Sequence, residues 1–207
     1  MEVVTISSSY GAGGSVIAPL VAERLGVPYL ARAVAARDSQ RIESEAREAA
    51  YTEEELERGL WQRVLNALAA TPAPIELGGG TETTEHPDRA LRAEAEQRLG
   101  EFVASGEGGV VLGWAAALVL PDAYRVRLDG PAERRLRRGA EIEGIDEDAA
   151  RQRLERTDEV RRLYWRRLYQ CDWRDPDQFH LWIDTTALSV ETSVSLIVDA
   201  SRGYVRS

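Results

Sequence analysis

The stretch Val3-Val4-Thr5-Ile6-Ser7-Ser8-Ser9-Tyr10-Gly11-Ala12-Gly13-Gly14-Ser15-Val16-Ile17-Ala18 reads as a strand, a small-residue loop and a helix start in immediate succession. A strand that delivers its backbone into Gly11, Gly13 and Gly14 lets amide N–H groups turn inward without a Cβ in the way, and the helix that follows adds its unpaired N-terminal donors. The guest that suits such a turn is a phosphate. The same residues would also serve a plain βα turn that does no more than pack a helix against a sheet.

The loop departs from the P-loop pattern G-x-x-x-x-G-K-[ST] in two places. Ser8 stands at the first glycine and Gly14 at the lysine, while Gly13 and Ser15 keep the second glycine and the hydroxyl. No lysine elsewhere can stand in, because all 26 Lys+Arg residues are arginine. At 207 residues the chain is long enough to bury a core without metals or disulfides, and its single Cys171 fits a reducing compartment. No basic n-region with an apolar h-region and no membrane-length apolar run is present, so a soluble cytoplasmic protein is expected.

The net charge of −9 argues against nucleic acid as a whole-surface partner. Its distribution is uneven. Between Asp38 and Glu107 there are 16 acids against 7 arginines, whereas between Glu133 and Arg174 there are 12 arginines against 10 acids. Guanidinium forks in that C-terminal segment could clamp phosphates or could simply lace a helix surface with ion pairs.

Apolar spacing at Ile17, Leu20, Val21 and Leu25 predicts a helix over Ser15 to Leu25 with Gly26 as its stop, tolerant of Pro19, and Val27 to Leu30 a second strand. Two strands flanking a helix imply a parallel sheet. Helices are expected over Arg32 to Ala50 and Glu53 to Ala69, a loop with His86 over Thr71 to Asp88, and a further helix over Arg89 to Ser105 with Leu91, Leu99, Phe102 and Val103 inward. Gly109 to Gly113 reads as a central strand, and the alternating Arg125-Val126-Arg127-Leu128 as an edge or half-covered one. Pro131 should open the next helix, Asp146 should cap a long helix to about Tyr169, Leu181 to Ile183 a last strand, and Ser189 the cap of a closing helix. Tyr164, Trp165, Leu168 and Tyr169 give the long helix an aromatic end suited to packing within the chain or against a second copy, and Trp114 suits a core position.

Three pieces in this order resemble the cytidylate-kinase-like family, a branch of the P-loop nucleoside monophosphate kinases: Val3 to Leu30, Gly109 to Arg138, and Arg156 to Ile197. The middle piece carries Val110-Val111-Leu112-Gly113-Trp114-Ala115 before the lid, and the late piece Arg156-Thr157-Asp158-Glu159-Val160-Arg161-Arg162 with Asp184-Thr185-Thr186. The resemblance implies an α/β fold with a five-stranded parallel sheet flanked by helices, in one domain over 1–207. Its core would be 1–31 and 108–207, with a helical insertion at about 32–107 and an arginine-rich lid at about 138–175.

On the same resemblance, ATP phosphates would sit on Tyr10, Gly11, Ala12, Gly13, Gly14 and Ser15, with Mg2+ on the Ser15 hydroxyl. Arg156, Asp158, Arg161 and Arg162 would serve the transferring phosphoryl group. Arg32, directly after Ala31, is a conceivable replacement on the substrate side. The partner would be a nucleotide or other small phosphate-bearing ligand, with no nucleic acid, no membrane, and room for a homodimer. The Gly-Arg-Asp of cytidylate kinases is here Gly113-Trp114-Ala115, and a carboxylate expected after the second strand is Ala31, with Asp129 at the end of a strand as a conceivable replacement in a magnesium shell. Three readings therefore stand side by side: an ATP-dependent small-molecule kinase, a nucleotide-binding module without efficient chemistry, and a purely structural partner with an empty loop. A Ser-His-Asp triad or a thiol nucleophile at Cys171 finds no support, since Gly-x-Ser-x-Gly is absent and Cys171 lacks an evident base.

Overall fold

The computed structural model describes residues 3–31, 87–113 and 115–205. The expected helices over Arg32 to Ala50 and Glu53 to Ala69, the loop with His86, Arg32 itself and Trp114 lie outside the described residues.

Five strands form one sheet: β1 (Val3–Ser8), β2 (Tyr29–Ala31), β3 (Gly109–Leu112), β4 (Tyr124–Asp129) and β5 (Leu181–Asp184). Their order is β2-β3-β1-β4-β5, and every neighbouring pair is parallel. The P-loop-type α/β architecture read from the sequence is thus the one observed. The helices are α1 (Gly14–Leu25), α2 (Pro87–Ala104), α3 (Ala116–Val119), α4 (Ala132–Glu143), α5 (Glu147–Tyr169) and α6 (Val190–Arg202).

Side chains alternate across a strand, so each strand offers one set of residues to each sheet face. On one face Val4, Ile6, Val110, Leu112, Tyr124, Val126, Leu128 and Ile183 pack against Ile17 and Val21 of α1 and Val194, Ile197 and Val198 of α6. On the other, Val3 and Val111 meet Leu99 of α2 and Ala116 of α3. Val103 is exposed rather than inward. Helix α1 continues through Pro19, whose missing N–H removes a single i→i−4 bond.

The caps fall where the side chains allow them. Asp146 accepts from the Ala149 amide at the start of α5, and Ser189 accepts from the Thr192 amide at the start of α6. Pro131 occupies the N-cap of α4 rather than its first turn. The aromatic end of α5 packs within the chain, where Tyr164, Trp165 and Leu168 meet Ala115, Ala117, Trp173 and Phe179.

One strand differs from its reading. β4 is interior, between β1 and β5, and not an edge. Its second face carries Arg125, Arg127 and Asp129, which alternate like solvent-facing residues, yet Arg127 is 1% exposed and Asp129 is buried. The Arg127 guanidinium lies 4.2 Å from the centre of the Trp173 ring and 5.5 Å from that of Trp182. It donates to the Ser9 hydroxyl at 2.7 Å and to Asp129 Oδ2 at 3.3 Å. A charge so stacked and paired can be buried, so the polar alternation marks an internal ion pair and not a wet face.

Candidate functional site

The carboxyl ends of β1 and β4 deliver two turns to the same place, and helices α4 and α5 fold back over them. Gly144, in the left-handed region at φ 64°, closes α4, and Leu136, Ala140, Ala150, Ile145 and Leu154 seal the hairpin. Beneath it lies a cavity of about 70 Å3, lined by Ser8, Ser9, Tyr10, Gly11, Gly13, Gly14, Ser15, Gly113, Glu143 and Arg161 among others.

The loop is built from main chain. Gly11 and Gly13 take φ of 70° and 75°, conformations that cost a side-chain-bearing residue about 1–2 kcal/mol. A Cβ at Gly11 would also come within 1.9 Å of the Arg135 carbonyl oxygen. The Tyr10 amide donates to Asp158 Oδ1 at 3.3 Å and the Ala12 amide to the Ser9 carbonyl at 3.1 Å. Among the described residues the amides of Gly11, Gly13, Gly14 and Ser15 find no hydrogen-bond acceptor. Those four belong to residues that line the cavity, at the N-terminus of a three-turn helix whose dipole favours an anion.

The two departures from the lysine-bearing pattern are one steric exchange. A Cβ at Gly14 would stand 2.5 Å from Ser8 Cβ and 2.7 Å from Ser8 Oγ. The serine at the first position therefore fills the space that a side chain at the seventh would need. A lysine at position 14 requires a glycine at position 8.

A stripe of α4 at four-residue spacing holds the loop through Tyr10. Arg135 Nη1 donates to the Tyr10 carbonyl at 2.9 Å. The Tyr10 ring lies so close to Gly139 that a Cβ there would be 2.5 Å from it, and the Tyr10 hydroxyl donates to Glu143 Oε2 at 2.8 Å. Arg153 of α5 donates to the same Glu143 oxygen at 2.6 Å. Burial raises the Tyr10 hydroxyl well above its usual pKa, with the Glu143 hydrogen bond acting in the same direction. Burial also pushes the Glu143 carboxyl up, while the bond from Tyr10 pulls it part of the way back.

Arg135 is the hub behind the cavity. Its guanidinium, 1% exposed, donates to the Gly130 carbonyl and to Asp158 Oδ2, both at 2.9 Å, and stands 3.2 Å from Asp129 Oδ1. Burial works against the Asp129 carboxylate, but Arg127, the Ser9 hydroxyl, Arg135 and the Gly130 amide outweigh it and hold the group below the ordinary carboxylate range. Arg138 leans on the loop from outside, with Nη1 donating to the Thr185 carbonyl and Nη2 2.8 Å from where a Gly13 Cβ would be.

The structure gathers some of the sequence-predicted residues and disperses others. Tyr10, Gly11, Gly13, Gly14, Ser15 and Arg161 share the cavity. Arg161 is buried, and desolvation followed by the opposing pulls of its charged neighbours brings its pKa down to about 10, so it stays charged at neutral pH. Ala12 is fully buried behind the loop, its carbonyl accepting from the Thr185 hydroxyl at 2.7 Å. Asp158 stands behind the cavity, 3.9 Å from Arg161. Arg156 is exposed, and Arg162 pairs with Glu159 at 2.6 Å on the solvent side of α5. Neither lines the cavity.

Arg135, Arg138, Glu143 and Arg153 were missed. The signal for the first and third was Gly139, a helical glycine midway between them, which marks a close approach. His180 sits at the far end of the sheet, its Nδ1 accepting from the Arg125 amide at 3.1 Å and its ring against Tyr124 and Tyr204. Among the described residues no cluster of three or more His, Cys, Asp or Glu is placed to hold a metal ion, and no helix is long and apolar enough to cross a membrane.

Among solved structures the fold is similar to that of a protein from Eubacterium ventriosum, with a TM-score of 0.66 at 16% identity over 99% of this chain and 100% of that one. It is similar also to the shikimate kinase of Bacteroides thetaiotaomicron, with a TM-score of 0.51 at 15% identity over 96% and 97% of the two chains. Curated relatives include the cytidylate kinase of Aeropyrum pernix, 29% identical with 95% of this chain and 97% of that protein covered. That of Methanopyrus kandleri is 26% identical over 94% and 90%. The family model described as "Cytidylate kinase-like family" matches residues 3–187. The chain, lysine-free loop included, belongs to the cytidylate kinase-like family.

Proposed function

We propose that this chain is an ATP-dependent phosphotransferase whose acceptor is a nucleoside monophosphate or another small phosphate-bearing molecule. The observation that carries the reading is the meeting, in one cavity, of four amides without a hydrogen-bond partner among the described residues and the buried cation Arg161. Family membership and kinase relatives support it.

Phosphoryl transfer asks for positioning and for neutralisation of developing charge more than for covalent help. The Gly11, Gly13, Gly14 and Ser15 amides would bind the donor's phosphate oxygens, and the hairpin of α4 and α5 would screen them from water. Arg161 would face the phosphoryl group as an acceptor oxygen bonds to its phosphorus and the bond to the bridging oxygen of ADP breaks. Asp158 would keep the Tyr10 end of the loop and Arg161 in register. Arg156 and Arg162 would join only through further closure of the hairpin.

The Ser15 hydroxyl, half-buried on the cavity wall and without a hydrogen-bond partner among the described residues, fits one position of a Mg2+ shell, an ion usually completed by phosphates and waters. When bound, the ion supplies charge neutralisation. Asp129 does not fit that role, because both its oxygens are engaged by Arg127, Arg135 and the Gly130 amide.

The test is magnesium-dependent ATP consumption across a panel of nucleoside monophosphates and small phosphorylated acceptors. One acceptor should raise turnover well above the ATP-only background, and Arg161→Ala should lower kcat/KM about a hundredfold, the usual cost of one transition-state contact. No acceptor-stimulated turnover across the panel would remove the reading. The engaged Asp129 favours one alternative, a module that binds nucleotide without efficient chemistry. Calorimetric binding of ATP with no turnover would select it.

A further inference from the structure

The cavity wall that faces the loop carries a carboxylate, which an anion site has no evident use for. Glu143 lines the same cavity as the Gly11, Gly13, Gly14 and Ser15 backbone and as Arg161. Its Oε2 takes two donors at once, the Tyr10 hydroxyl at 2.8 Å from the loop and Arg153 at 2.6 Å from α5. A carboxylate and a phosphoryl group are both oxyanions and draw on the same donors, guanidinium above all. Placed in one small cavity, they also repel.

Resting on the reading of the loop as an anion cradle, we propose that Glu143 is an internal competitor for the phosphate ligand, a tethered carboxylate that occupies Arg153 until a polyphosphate displaces it. Arg153 then turns from Glu143 to the incoming phosphate, and the Tyr10 hydroxyl is released with it. The arrangement sets a charge threshold. A ligand with one phosphate gains too little from the amides to evict the carboxylate, whereas a di- or triphosphate gains enough. Glu143 is on these grounds a specificity-determining residue that makes the cradle select for polyphosphate over monophosphate.

The experiment is calorimetric titration of the full chain with pyrophosphate and, separately, with inorganic phosphate. Glu143→Gln keeps the shape and removes the charge. It should tighten pyrophosphate at least about tenfold and orthophosphate by more, so that the preference between the two narrows. Adding Arg153→Ala to Glu143→Gln should abolish most of the gain, because the cation released to the ligand is then missing. Unchanged or weaker pyrophosphate binding by Glu143→Gln, at an unchanged unfolding midpoint, overturns the proposal while leaving the cradle intact. If Glu143→Gln fails to fold, Glu143→Asp, which withdraws the carboxylate by one methylene, decides in the same way: tighter binding supports the competitor and equal or weaker binding refutes it. Absence of pyrophosphate binding in the wild type and all variants would instead remove the cradle itself.

Discussion

β3 and β4 flank the same central strand inside the sheet, yet they are buried by opposite means. β3, Gly109–Leu112, is apolar on both faces and needs only neighbours of the right size. β4, Tyr124–Asp129, puts Val126 and Leu128 on one face and Arg127 and Asp129 on the other. That second face is held by Ser9, Trp173 and Arg135, groups that come from the loop after β1, the segment after α5, and α4. An apolar strand fits many partners, and a charged buried one fits only its own. The ion-paired face is the one that ends at the glycine loop, so the specific half of the sheet is also the half that positions the candidate site.

If that contrast is sound, the largest losses of stability follow from the arginines of the network. Arg135→Ala leaves the Asp129 and Asp158 carboxylates and the Tyr10 carbonyl short of a buried partner, and should cost about 3–5 kcal/mol. Arg127→Ala should fall in the same range, with the stacking on Trp173 lost as well. Denaturant unfolding of both variants measures this, and a cost below that of an apolar truncation would break the comparison.

On the β3 side Val111→Ala removes fully buried methyl groups and should cost about 2 kcal/mol, with no effect on phosphate binding. Arg162→Ala, which breaks the exposed pair with Glu159, should leave the unfolding midpoint essentially unchanged. A larger effect on activity than on stability would show that Arg162 reaches the site through closure of the hairpin.

Titration sharpens the same contrast. Asp129 is held below the ordinary carboxylate range, so its contribution is complete above the unfolded-state value of about pH 4 and is lost as pH falls through its folded-state value. Unfolding midpoints measured from pH 7 downward should therefore decline along an acid limb in the wild type. Asp129→Asn should be less stable at neutral pH and show a flatter limb.

The apolar strands, the glycine loop, α1 and the caps at Asp146 and Ser189 were legible because each is written in adjacent residues: alternation, a missing Cβ, a hydroxyl or carboxylate three residues from the amide it accepts from. β4 was misread because Arg125, Arg127 and Asp129 alternate as a wet face would, while their partners lie elsewhere in the chain. At the site, the loop and Arg161 were legible and the grip on Tyr10 was not. Arg135, Gly139 and Glu143 share one stripe of α4, but only the fold shows that Tyr10 runs along that stripe. In the sequence the loop's serine at position 8 and glycine at position 14 are two separate departures, and in the structure they are two halves of one exchange.

The central claim is that the main chain of a lysine-free loop binds phosphate with Arg161 as its cation. Amide chemical shifts followed during titration with ATP and magnesium test it most directly. The account predicts that the largest, saturable shifts fall on Gly11, Gly13, Gly14 and Ser15 and that Arg161→Ala weakens them in parallel. Saturation with those four amides unmoved, or no saturation at millimolar nucleotide, would contradict it.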